Sequence, residues 1–110
     1  MRWGVQVLPH AIVVRMFGIL DQTVGEMFEK TAERASNLKN RQVVFDFSDV
    51  ENIDPIALVL CGYGFHHLRQ LGIPAALVQP SEWLLPLLQE HGLPEIPPVF
   101  LEAQSLPSRN

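Results

Sequence analysis

Three side chains able to do chemistry fall within one short stretch of this sequence: Cys61, His66 and His67. A thiol beside an imidazole can act as a nucleophile with its base, and a thiol with two imidazoles can hold zinc. Their spacing works against both. On a helix, groups four apart share a face, whereas separations of five and six scatter them over different faces. His10 and His91 belong to other segments, so no nucleophile, base and orienting group can be assembled. From this set the expectation is no catalytic residue and no metal site.

A second group able to act is acidic. Asp21, Asp49, Glu51, Asp54 and Glu82 lie in three segments, 18–23, 48–54 and 79–82, which contain neither Lys nor Arg. Each segment should follow a parallel strand, and in open α/β sheets such loops converge at the carboxyl edge, where ligands and partners are met. A bound phosphate would be repelled by several carboxylates, with only helix N-termini in its favour. The glycine fingerprint of a dinucleotide site is also missing. Each acid has an ordinary use as a cap or turn residue. As a cluster they point to a basic or polar protein surface, or a metal ion. A phospho-acceptor receiver domain would need a lysine near the last strand, and the only lysines are Lys30 and Lys39.

The elements that would position these residues can be read from periodicity. Residues 3–8 alternate apolar and polar, Pro9-His10 makes a turn, and the apolar run 11–17 completes a strand pair, with Gly18-Ile19-Leu20-Asp21 leaving the sheet. Thr23 with Glu26 has the form of a capping box. Beyond it, Val24, Met27, Phe28, Thr31, Ala32 and Ala35 recur at helical spacing and predict an amphipathic helix on one sheet face. The run 42–47 reads as a strand buried on both faces, followed by a loop at 48–54. A helix from 54 to about 71 follows, with Asp54 as N-cap, Pro55 at its first position and Gly72 and Pro74 ending it.

Residues 75–78 form the next strand, Ser81 caps a helix over 82–91 interrupted by Pro86, and Pro97-Pro98-Val99-Phe100-Leu101 can serve only as a short edge strand. The order β-β-α-β-α-β-α-β predicts an α/β domain with a mostly parallel sheet and one antiparallel strand. The second helix stands apart, because Ile56, Leu58, Val59, Leu60, Cys61, Tyr63, Phe65 and Leu68 put apolar groups nearly all round it. More of it needs covering than one sheet face can cover, so either neighbouring helices or an oligomer or partner interface must contribute. Gly62 and Gly64 within it suggest close approach of a neighbouring backbone.

A chain of 110 residues, 47% of them hydrophobic, supports one core. The net charge of -4 argues against nucleic acid or an anionic membrane as the main partner. One cysteine fits a reducing compartment, no signal-peptide pattern opens the sequence, and no apolar run is long enough to span a bilayer. The expected location is cytoplasmic.

Several of these runs together resemble the STAS domain, found in anti-sigma-factor antagonists and at the cytoplasmic ends of sulfate transporters. They are 12–21, Val43-Val44-Phe45-Asp46-Phe47-Ser48-Asp49-Val50, Ile53-Asp54, Val78-Gln79-Pro80-Ser81, and Leu87-Leu88-Gln89-Glu90-His91-Gly92-Leu93. The resemblance implies a STAS-like α/β fold: a mostly parallel mixed sheet of about five strands with three or four helices, one domain over 1–103, and a flexible tail at 104–110. In switch-type members the loop before the second helix reads Asp-Ser-Ser-Gly or a close variant, and a Ser or Thr there is phosphorylated by a kinase that is also the anti-sigma factor. This chain reads Asp54-Pro55-Ile56-Ala57, so the aspartate matches and both hydroxyl positions do not. No phosphorylation is expected where Pro55 and Ile56 stand.

The resemblance thus implies a non-enzymatic, cofactor-free regulatory module that docks a protein through Asp21, Asp54, Pro55, Ile56 and Ala57. The partner would be an anti-sigma-factor kinase or another regulatory protein, and a homodimer is compatible. An accessory subunit of a membrane transport system is the alternative, and a small-ligand or metal-binding α/β domain a further one.

Overall fold

The computed structural model describes residues 1–78, 80, 82–90 and 97–100, which build five strands and three helices. β1 (Arg2–Val7) and β2 (Ala11–Leu20) form the expected hairpin, antiparallel from Arg2↔Phe17 to Val7↔Ile12. The Leu8 amide donates to the Ala11 carbonyl at 2.7 Å across the Pro9-His10 turn. From β2 onward every pairing is parallel, to β3 (Gln42–Ile53), then β4 (Ala75–Val78), then the edge strand β5 (Val99–Phe100). The sheet order is β1-β2-β3-β4-β5.

Two segments expected to leave the sheet stay in it. Gly18–Leu20 pairs with β3, and Ser48–Ile53 is strand rather than loop, through Gly18↔Val50, Ile19↔Asn52 and Leu20↔Ile53. The ladder tolerates this through register shifts between Arg15 and Phe17 and between Gly18 and Ile19. Gly18 adopts φ +83, which is open to glycine at little cost. The shifts also explain the disguise. Past Phe47 the buried residues of β3 are Val50 and Ile53, three apart, because extra residues displace the period of two.

Helix α1 (Thr23–Asn37) buries Val24, Met27, Phe28, Thr31, Ala32 and Ala35, the face read from the sequence. Its start differs from the expected capping box: Asp21 Oδ1 accepts the Thr23 amide at 2.8 Å, and Glu26 pairs instead with Lys30 at 2.9 Å. Thr23 is already helical, so its hydroxyl is past the capping position. Helix α2 (Pro55–Gln70) starts at the proline and is stopped at Gly72, whose φ is +72. Helix α3 (Leu84–Glu90) starts later than expected, so Pro86 sits in the first turn, where its missing N–H leaves nothing unpaired. Ser81, the expected cap, and the tail 104–110 lie outside the described residues. Pro98 contributes to the ladder in the one way proline can, its carbonyl accepting the Leu77 amide at 2.8 Å.

All three helices bury side chains in one cluster with Ile12, Val14 and Met16 of β2 and Val43, Phe45 and Phe47 of β3. They therefore share one sheet face, as right-handed crossovers stepping in one direction require. At its centre Phe28, Phe45 and Phe65 pack with centroids 5.1, 5.3 and 5.7 Å apart. A Cβ on Gly64 would collide with the Phe28 ring, so this glycine admits an aromatic side chain, not a backbone. Thr31 is 1% exposed, and its hydroxyl has no hydrogen-bond partner among the described residues.

On the opposite sheet face, Arg15 bridges to Asp46 and Asp49 at 3.3 Å each. The guanidinium groups of Arg2 and Arg15 both lie over the Phe17 ring.

Candidate functional site

The turns β2–α1 and β3–α2 are joined by their backbones, because the Asp54 amide donates to the Leu20 carbonyl at 2.9 Å. This bond sets Asp21, Asp54 and the first turn of α2 side by side. The Asp21 carboxyl is held down to a pKa of about 2 by the donors of Thr23, hydroxyl then amide, and by the Met1 amino group 3.2 Å away. It is an ionised anchor for the turn. Asp54 has the extended backbone of an N-cap, φ -72 and ψ 149, yet its side chain makes no capping hydrogen bond. The carboxylate expected to be occupied by the helix is instead presented at the surface. Pro55 at the first helical position leaves one donor fewer to satisfy.

Asp21, Asp49, Glu51 and Asp54 line one shallow depression of about 900 Å³. Arg2 and Ile19 share its wall, and Arg15 ties down Asp49. The rim is thus acidic without being free of cations, a correction to the loop-by-loop reading, which could not see arginines arriving from neighbouring strands. Glu82 is exposed, while Gln79 and Ser81 lie outside the described residues.

Helix α2 divides into two lines. Ala57, Leu58, Cys61, Gly64, Phe65 and Leu68 turn to the core. Ile56, Val59 and Tyr63, spaced as one ridge, are exposed at 55%, 51% and 70%. The excess apolar character read from the sequence is therefore left uncovered by the described residues. Ala57 is a correction of another kind: it is fully buried, so it supports the surface from behind and cannot touch a partner.

The thiol of Cys61 is buried and its pKa pushed up to about 12 by that burial, far from the reactive range. His66 and His67 are exposed on α2. Among the described residues no three of His, Cys, Asp and Glu come together as metal ligands, and no helix is long and apolar enough to cross a membrane.

Comparison with known proteins places this geometry. No curated protein sequence matches the chain. Among solved structures, RsbS from Moorella thermoacetica superposes with a TM-score of 0.79 at 22% identity, covering 94% of this chain and 90% of that one. The anti-sigma factor antagonist SpoIIAA in its unphosphorylated form gives 0.69 at 17% identity, covering 94% and 91%. A putative anti-sigma factor antagonist from Thermotoga maritima gives 0.71 at 16%, covering 93% and 88%. At such identities these likenesses establish the fold. The model of the STAS domain family itself matches residues 2–106, nearly the whole sequence, and the chain belongs to that family.

Proposed function

We propose that this STAS domain is a non-enzymatic, cytoplasmic regulatory module that docks a protein partner at the start of α2. Asp21, Asp54, Pro55 and Ile56 form the contact surface, and Ala57 underpins it. The observation that carries this reading is the first turn of α2, where an exposed isoleucine stands directly beyond a proline and an uncommitted carboxylate. An apolar anchor beside negative charge suits a partner offering a hydrophobic pocket rimmed by Lys or Arg.

The anti-sigma-factor antagonists that share the fold support a regulatory partner of that type. Because Pro55 and Ile56 stand where switch-type members carry hydroxyl groups, docking here is not relieved by phosphorylation. The test is to mix the protein with the anti-sigma kinase of its own cell and ATP. A stable complex that ATP does not dissolve is expected. Phosphate incorporated between 54 and 57, or failure to bind that kinase, overturns the antagonist reading. Co-purification with a transporter ATPase would move the same module to the transport class.

A further inference from the structure

We infer that the outer edge of β1, which no described strand pairs, is a self-association surface, on which a second copy of this chain adds its own β1 antiparallel about a two-fold axis through Val5. The hydrogen-bond phase of the hairpin shows what that edge offers. Leu8 and Ala11 form a hydrogen-bonded pair, and such pairs recur every second residue along an antiparallel ladder. Gln6↔Val13, Gly4↔Arg15 and Arg2↔Phe17 are therefore the bonded pairs. Trp3, Val5 and Val7 lie between them and turn their N–H and C=O groups away from β2, to the unpaired edge.

Exposed edges are ordinarily blunted by proline, by lysine, by a bulge or by brevity. β1 has none of these. It is six residues long, keeps one register throughout, and contains neither proline nor lysine. Its outward-bonding residues are also its apolar ones, and Val7 remains 39% exposed.

The symmetry selects the register. Facing residues of an antiparallel ladder project to the same sheet face, so a two-fold axis normal to the sheet must pass through a residue, not between two. With the axis at Val5, Trp3 faces Val7 of the second copy, Val5 faces its equivalent, and all three outward residues form bonded pairs. Trp3 then covers the exposed Val7 of the other copy. Arg2 falls at opposite ends of the two strands, so the one charge on β1 does not meet itself.

A groove of mixed charge runs beside the strand. It is open, lies between β1 and α1, and is lined by Trp3 and Val5 on one wall and by Lys30, Glu33, Arg34 and Leu38 on the other. The anionic rim is at the carboxyl end of the parallel strands, with Asp49 and Glu51 inside β3 and Arg2 of β1 on its wall.

Amide hydrogen exchange of the purified chain at low and high concentration, with sedimentation to count copies, tests this. Dimerisation is expected, with exchange at Trp3, Val5 and Val7 slowing at least about tenfold in the dimer while Gly4 and Gln6 change little. Val5→Pro removes an outward N–H without touching a bond to β2 and should leave a folded monomer. Val7→Lys, an edge charge, should do the same if the proline variant fails to fold. A wild-type chain that stays monomeric, or a dimer in which those three amides exchange freely, overturns the proposal. So does a dimer that folded Val5→Pro or Val7→Lys leaves intact.

Discussion

The amide of Asp54 reaches back to the carbonyl of Leu20 at 2.9 Å, so the start of α2 is fastened to the end of β2 and not only to its own strand. One consequence is that the turn proposed for docking is preformed. A partner meeting Asp54 and Ile56 need not order them first, which leaves more of the contact energy for affinity.

Ile56→Glu should therefore separate binding from folding. The side chain is 55% exposed, so stability should stay within about 0.5 kcal/mol of wild type in a denaturant titration. Affinity for the partner should fall about thirtyfold or more by calorimetry, the scale of an interface anchor. Ile56→Ser should bind and also accept phosphate from a partner kinase, where wild type takes none.

Gly64→Ala tests the close approach of α1 and α2. Alanine is the better helix former by about 1 kcal/mol, yet its methyl would displace the Phe28 ring from its stack with Phe45 and Phe65. Overpacking prevails, and a net loss of about 1–2 kcal/mol is expected from the shift in urea midpoint.

Thr31→Val should act in the opposite direction. Valine has nearly the same shape, and the hydroxyl it removes is buried with no partner among the described residues. A gain of about 1 kcal/mol, read as a higher melting temperature, is expected.

Asp21 should make stability fall in acid. Its folded pKa of about 2 lies below the ordinary 3.8, so its contribution is fully present above 3.8 and is lost as pH falls through about 2. Melting temperatures of wild type and Asp21→Asn, measured from pH 6 downward, should differ most at the top of that range and converge at the bottom.

What could be read from the residues depended on whether local pattern or tertiary geometry decided the outcome. The buried face of α1 was legible because Val24 to Ala35 keep helical spacing, and β4 because its run is short, apolar and flanked by turn residues. Ser48–Ile53 was not, since register shifts replaced the alternation that identifies a strand. Thr23 lost the expected capping position because the path of the chain makes it the first helical residue, with its amide donating back to Asp21. Of the site, Asp54, Pro55 and Ile56 were visible as a helix start. Arg2 and Arg15 were not, because they reach the rim from β1 and β2 across the sheet.

The strand order β1-β2-β3-β4-β5 has a final consequence. A deep crevice opens in a parallel sheet at a topological switch point, where successive connections run off in opposite directions and part the loops. Here each crossover among the described strands steps the same way, so no switch point arises, and the loops at the carboxyl edge stand in one row. Such a row is a ledge and not a cleft. It offers area without enclosure, which suits another folded surface far better than a small molecule.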